Sequence, residues 1–181
     1  MTKTVEFRPT IKAVKMNKGG KQEVVLSIDN GSLGGKFESL SQLIGEAVNV
    51  VIQPSVISYR IPYDRETGEP QLKYVLDQNG MVTEVKEEQL ALDEFGPNTS
   101  YKNFLIEMGD VDNYIKSTNS LTLPPHIELN PREILFMLDD GNSYEEIAEE
   151  LEVKETAVIS ELEKARLHFA PFASAWLSGK E

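Results

Sequence analysis

The feature that most constrains the fold is a change in hydrophobic periodicity at Pro124-Pro125. Before these prolines, short apolar runs alternate with polar residues and are separated by turn sequences, which is typical of β-strands. After them, apolar residues recur every three or four positions between capping residues, which is typical of short helices. We therefore predict an α+β chain with a β-rich domain over residues 1–120 and an all-helical domain over residues 121–181.

The N-terminal part contains two hairpin signals and several weaker elements. Alternating runs flank Gly19-Gly20, and a second pair of runs flanks Asn79-Gly80, a dipeptide that favours a tight hairpin turn. The remaining patterns predict strands at residues 48–52 and 56–61 and short helices at residues 37–44, 88–95 and 101–108. Residues 116–120, just before the two prolines, are the best linker candidate.

The C-terminal part carries strong helix start and stop signals. Asn130, followed by a proline, predicts the start of a first helix, and Gly141 predicts its end. Ser143 and Glu146 have the spacing of a capping box at the start of a second helix. A short turn at residues 152–154 leads into a third segment with a helical apolar stripe. This arrangement is that of a tri-helical helix-turn-helix, which would form the C-terminal domain.

The same residues resemble a known DNA-binding motif. Three segments, at residues 129–135, 144–151 and 153–162, are similar to a LuxR-type or sigma-factor region-4 helix-turn-helix. In those families the last helix enters the major groove, so the resemblance implies contact with duplex DNA. The candidate DNA-contacting residues of the motif are Lys154, Thr156, Ser160 and Lys164.

The chain departs from the family pattern where those proteins contact DNA. Glu152 occupies the turn position that is commonly glycine, and Ala157 stands where a threonine commonly contacts a phosphate. Base-reading helices use Arg, Lys, Asn and Gln side chains, whereas residues 154–164 hold two basic and three acidic side chains. The surface therefore also suits a protein partner. The candidate protein-contacting residues are Glu145, Glu149, Glu152 and Ile159.

The formal net charge of −12 is unevenly distributed along the chain. Residues 1–36 hold seven Lys and Arg against three Asp and Glu, and the rest of the chain is acidic. Because phosphates attract basic surfaces, the N-terminal hairpin is a second candidate for nucleic-acid contact. Alternatively, its lysines only protect an edge strand from pairing with other chains. The lysines concerned are Lys12, Lys15, Lys18 and Lys21.

An apolar tail follows the helical motif. Its aromatic residues either pack inside the chain or form a homodimer surface, in which they would act as anchors. Pro171 argues against one continuous helix through the tail. The candidate dimer residues are Phe169, Phe172, Trp176 and Leu177.

The residues that catalysis or cofactor binding would need are scarce. Residues 31–37 contain glycines as a phosphate loop does, but their spacing is wrong, and Phe37 stands where a hydroxyl residue would hold magnesium. His126 and His168 are far apart in sequence, and the chain has no cysteine. We therefore expect no enzyme, no cofactor and no metal site. With no signal peptide and no apolar run of about 20 residues, we expect a cytoplasmic protein without membrane contact.

Two functions are compatible with these patterns. In the first, the chain is a non-enzymatic acidic binding protein that regulates or inhibits a protein that handles nucleic acid, because an acidic surface competes for a basic groove. In type and composition it resembles phage-encoded anti-restriction and anti-CRISPR inhibitors, which are also small, acidic and free of cysteine. In the alternative, the chain is a helix-turn-helix DNA-binding transcriptional regulator.

Overall fold

A computed structural model describes the whole chain except residues 1–4, 6, 8, 17–19, 21, 29–35, 49, 51, 78–79, 87–97, 119–120 and 181. The chain divides into two compact units, Met1–Gln53 (unit 1) and Pro54–Glu181 (unit 2). Strands dominate the N-terminal half and helices dominate the C-terminal third. The fold is therefore mixed α+β, as the sequence predicts.

Unit 1 contains the first predicted hairpin. β1, Thr10–Met16, pairs antiparallel with β2, Gln22–Ser27. A bulge interrupts the register between Ile11 and Ala13. The hairpin forms where the sequence predicts it, because alternation with a period of two places successive side chains on opposite sides of each strand.

The rest of unit 1 holds little regular structure among its described residues. α1, Phe37–Ser41, has about one and a half turns and lies within residues 37–44, where the sequence predicts a short helix. Residues 48, 50 and 52, where the sequence predicts a strand, belong to neither a strand nor a helix. The apolar run at this position therefore has no cross-strand partner within the described part of the unit.

Unit 2 begins with four strands arranged as two antiparallel pairs. The longer pair joins β3, Val56–Asp64, to β6, Thr99–Glu107. The shorter pair joins β4, Leu72–Leu76, to β5, Val82–Lys86. This second pair is the hairpin predicted at Asn79-Gly80, and Gly80 has the positive φ, 78°, that such a turn requires. The predicted helix at residues 88–95 lies outside the described residues.

The short helix predicted at residues 101–108 is wrong. Residues 101–107 belong to β6, which pairs with β3 along nine residues, and residue 108 begins the next helix. In β6, Ile106 is 7% exposed and its neighbour Leu105 is 73% exposed, which is the alternation of a strand with one buried side. The apolar residues at positions 101, 104 and 105 imitate helical spacing, and only the pairing with β3 decides between the two periods.

Four helices complete unit 2. They are α2, Met108–Ser117; α3, Pro131–Asp139; α4, Tyr144–Glu150; and α5, Glu155–Ser178. The sequence predicts the starts of α3, α4 and α5, whereas α2 directly follows β6 in a region with no clear period. The finer assignment of α3–α5 as a tri-helical helix-turn-helix stays a prediction.

The predicted helix ends are confirmed at three places. The side chain of Asn130 accepts a hydrogen bond from the backbone N–H of Arg132 at the start of α3. Gly141, with φ 92°, follows the end of α3. Ser143 and Glu146 form the capping box of α4, in which each side chain accepts a hydrogen bond from the other residue's backbone N–H.

The expectation that Pro171 interrupts the last helix is wrong, because α5 runs through it without a break. The proline removes one backbone hydrogen bond, the one that its nitrogen would donate to the carbonyl of Leu167. Pro171 itself is buried, together with Phe169 and Ala173. We attribute the continuity of α5 to this burial, which offsets the lost hydrogen bond.

The core of unit 2 is shared by strands and helices. Buried side chains of the long strand pair, Tyr59 and Ile106, belong to one apolar cluster with Ile134 of α3 and Leu162 of α5. The strands before residue 120 and the helices after it therefore fold against each other. For this reason the division between compact units lies after Gln53, and not at residues 120 and 121 where the sequence places it.

Candidate binding surface

The outer side of α4 consists of glutamates. Ile147 and Ala148 are buried on the inner side, where they join the core of unit 2. This burial fixes the orientation of a helix that would be too short to be stable alone. The exposed residues of the helix are Glu145, Glu146, Glu149 and Glu150.

The capping box holds one of these glutamates at the start of the helix. A carboxylate oxygen of Glu146 accepts hydrogen bonds from the backbone N–H of Ser143 at 2.7 Å and from its hydroxyl at 2.9 Å. The backbone hydrogen bond, followed by that of the hydroxyl, lowers the pKa of Glu146. Glu146 is therefore charged at neutral pH, and its carboxylate is hydrogen-bonded to Ser143, the N-cap residue of the same helix.

The turn after α4 adds a further exposed acid in an unusual backbone conformation. Glu152 has φ 55° and is the one non-glycine with positive φ among the described residues. The backbone N–H of Val153 donates to the carbonyl of Ala148 at 2.9 Å, and that of Glu152 donates to Glu149 at 3.3 Å. This pattern is a Schellman motif, which usually places glycine where Glu152 stands.

We call Glu145, Glu149 and Glu152 the acidic face. All three are exposed. No described lysine or arginine forms an ion pair with any of them at 4.0 Å or less. Their charges are therefore not neutralised within the part of the chain that the structure describes. The sequence predicts these three as protein-contacting residues, and the structure places them on one short helix and the turn that follows it.

The start of α5 lies next to this face and carries the predicted DNA-contacting residues. Lys154 precedes the helix as its N-cap residue, and its side chain makes no capping hydrogen bond. Thr156 and Ser160, four positions apart, are exposed on one side of the helix. Ile159, predicted as a protein contact, is half-buried.

Lys164, the second predicted basic contact, is paired with an acid of its own helix. Its Nζ lies 2.5 Å from Oε1 of Glu161, whose other carboxylate oxygen accepts a hydrogen bond from the backbone N–H of Glu128 at 2.7 Å. The hydrogen bond from Lys164, followed by that from Glu128, lowers the pKa of Glu161. The charge of Lys164 is thus partly neutralised where a DNA-reading helix would need it.

The lysines of the N-terminal hairpin lie in unit 1. Lys12 and Lys15 are exposed on β1, whereas Lys18 and Lys21 lie outside the described residues. Both sequence interpretations of these lysines stay predictions.

The apolar tail packs inside unit 2, which is the first of its two sequence interpretations. Phe169 is 3% exposed and has no surface to offer a partner. The ring of Phe172 lies 4.9 Å from that of Tyr74, and the ring of Trp176 lies 5.8 Å from that of Tyr114. Leu177 is half-buried and also packs against the core. These contacts do not favour the predicted dimer surface.

Two histidines that the sequence separates are neighbours in the structure. The ring centroids of His126 and His168 are 5.9 Å apart. Burial, followed by the proximity of His126, lowers the pKa of His168, and the charge of Glu84 opposes this shift in part. Sequence reasoning missed this contact because the residues between them contain no signal for it. Among the described residues, no group of three or more potential ligands could hold a metal ion.

Comparisons with known proteins find no match to this chain among protein-family models, curated proteins or solved structures. Of the helices that the structure describes, none is both long and apolar enough to cross a membrane. The surface described above is therefore the basis for assigning a function.

Proposed function

We propose that this chain is a non-enzymatic binding protein that regulates or inhibits a protein that handles nucleic acid, in the manner of the phage-encoded inhibitors that it resembles in type. Its acidic face would occupy the basic groove with which that partner binds DNA or RNA. The observation that carries this proposal is the exposure of the acidic face on a capped helix and the turn that follows it, where none of its three glutamates forms an ion pair with a described lysine or arginine.

The charge density of this surface is high. Residues 143–155 contain six glutamates and one lysine. One exposed ion pair contributes under about 1 kcal/mol. Several charges together accelerate encounter with a surface of opposite sign and select the register of binding. Because α4 is held by a capping box and by buried Ile147, the backbone positions of its four glutamates are fixed relative to one another.

A DNA-binding function is the second candidate, and the resemblance of α3–α5 to a helix-turn-helix favours it. Lys154, Thr156 and Ser160 are exposed at the start of α5, where a recognition helix would contact bases. In that plan, however, the preceding helix lies beside the phosphate backbone. Here that helix is α4, whose glutamates would be repelled by phosphates. This repulsion is the reason we prefer a protein partner.

Charge reversal distinguishes the two functions because it should weaken inhibition of a nuclease but strengthen binding to DNA. The test variant changes Glu145, Glu149 and Glu152 to Lys. The matched control changes Glu46, Glu107 and Glu128, which are also exposed, and alters net charge equally. Plasmid cleavage by a panel of restriction and RNA-guided nucleases, with each protein added, measures inhibition. We expect the natural chain and the control to inhibit a susceptible nuclease and the test variant to lose inhibition.

The same three proteins are then titrated against a fluorescent nonspecific duplex at low salt. An inhibitor with an acidic face should not bind the duplex. Tight binding by the natural chain, weakening steeply as salt increases, would instead establish the DNA-binding function. In that case the reversal at the acidic face should strengthen duplex binding, and Lys154→Glu should weaken it.

A further inference from the structure

The β1–β2 hairpin of unit 1 has two chemically different sides. Residues that are paired across the ladder point to the same side, and successive pairs alternate between sides. We call one side the apolar face; its cross-strand pairs are Ile11 with Leu26, Val14 with Val24, and Met16 with Gln22. The opposite side carries Lys15 paired with Glu23 and the smaller apolar pair of Ala13 with Val25.

The apolar face is uncovered. The exposed fractions are 47% for Ile11, 70% for Val14, 78% for Met16 and 48% for Val24. None of the described side chains in residues 1–53 is buried. A two-stranded hairpin is only marginally stable in water, and an apolar sheet face needs a second layer to cover it. The face is therefore expected to be covered when the protein functions.

The arrangement of charge indicates what covers it. No described charged side chain occupies a paired position on the apolar face, so a highly charged partner would gain no ion pair there. Lys15 faces away, and Lys12 falls in the bulge without a paired position. Two apolar faces can therefore meet without bringing Lys15 of one copy against Lys15 of the other. A second copy of this chain supplies a face of matching shape and chemistry, as a two-fold symmetric interface requires.

The area suits a weak dimer. From their exposed fractions, the apolar residues of this face leave roughly 450 Å² open, so two copies would cover at most about 900 Å², which is the size of a weak, transient interface. The interface would be small and apolar, and the resulting dimer would dissociate on dilution.

We propose that two copies of the chain associate through the apolar faces of their β1–β2 hairpins. The hairpins stack face to face as two layers about 10 Å apart. Val14 belongs to the central pair of the face and lies near the two-fold axis, so it approaches its counterpart in the partner copy. This association does not depend on the function proposed for the acidic face.

The two surfaces respond to salt in opposite ways. Each copy carries a net charge of −12, so two copies repel each other at low ionic strength. Added salt screens this repulsion and leaves apolar burial in place. Self-association through the hairpins should strengthen with salt, whereas binding through the acidic face should weaken. Failure of one proposal can thus be told apart from failure of the other.

The absence of cysteine from the natural sequence provides a direct test. Val14→Cys places a single thiol on the apolar face, and Lys15→Cys places one on the opposite side as the matched control. Bismaleimidoethane, a short thiol-to-thiol reagent, is added to each. We expect covalent dimer from Val14→Cys and several-fold less from Lys15→Cys. Equal yields from the two variants, or no dimer from Val14→Cys, would overturn the proposal.

Sedimentation of the full chain provides the second test. Val14→Lys should raise the dissociation constant of the dimer by about a hundredfold or more, since each dimer loses two buried valines and gains two buried charges. Lys15→Gln should leave it unchanged. The fluorescence of Trp176 in unit 2 reports that the other unit stays folded in each variant. A natural chain that remains monomeric at high concentration and high salt would refute the interface.

Discussion

Arg166 of α5 and Asp112 of α2 form a two-point ion pair in the core of unit 2. Nε of Arg166 lies 2.8 Å from Oδ1 of Asp112, and Nη2 lies 2.8 Å from Oδ2. The side chains are 7% and 15% exposed. Burial disfavours the charge on Arg166, but the hydrogen bonds and charge of Asp112 outweigh it, and the pKa of Arg166 lies above its usual value. The pair joins two helices that are distant in sequence.

Removing one partner of this pair should strongly destabilise unit 2. Asp112→Ala leaves the guanidinium buried without its counter-charge, which costs about 3–5 kcal/mol of unfolding free energy. Asp139→Ala is the control, because it breaks the pair with Lys116, in which Asp139 is 54% exposed, and should cost under about 1 kcal/mol. Urea unfolding followed by Trp176 fluorescence measures both. Similar losses in the two variants would show that the buried pair is not structural.

The histidine contact predicts a pH dependence of stability. The pKa of His168 is lowered in the folded chain, so the unfolded chain takes up the proton first as pH falls. Stability should therefore decrease as pH falls below about 6.5, by at most about 1.4 kcal/mol per pH unit from this group. His168→Gln should remove the loss in this range. This variant should still lose stability at lower pH, where Glu146 and Glu161 become protonated, because the pKa of each is lowered in the folded chain. An unchanged profile in His168→Gln would contradict this assignment.

The positive φ of Glu152 predicts a stabilising substitution. A side chain in this left-handed conformation costs about 1 kcal/mol, and glycine avoids that cost. Glu152→Gly should therefore raise the unfolding free energy by about 0.5–1 kcal/mol. Glu149→Gly, inside α4, should lower it by about 1 kcal/mol. Thermal unfolding compares them, and a lower melting temperature for Glu152→Gly would mean that the side chain contributes more than its conformation costs.

Substitutions at two residues of α5 distinguish a core role of the apolar tail from a role at a dimer surface. Phe169 is 3% exposed and Leu167 is 55% exposed. Phe169→Ala should cost about 3–5 kcal/mol without changing the oligomeric state, and Leu167→Ala should change stability by less than about 0.5 kcal/mol. Chemical unfolding and light scattering measure the two properties. A smaller species from Phe169→Ala at unchanged stability would restore the tail as a dimer surface.

The features that the sequence predicts correctly are those that depend on neighbouring residues. The capping box of Ser143 and Glu146, the glycine stop at Gly141 and the hairpin around Gly80 each need only residues within about four positions. The positions of the acidic-face glutamates along α4 and its following turn can be predicted for the same reason, because α4 begins at a local capping signal. Their exposure follows from the burial of Ile147 and Ala148 on the opposite side.

Other features depend on partners that are distant in the chain, and only the tertiary structure decided them. Residues 101–106 have apolar spacing that suits a helix, and pairing with β3 makes them a strand. Pro171 would end an isolated helix, and packing in the core keeps α5 continuous. Asp112 and Arg166 pair across the core, although neither position carries a local signal. Local free energies of about 1 kcal/mol bias the backbone, and burial and pairing with distant elements, which are larger in sum, override that bias.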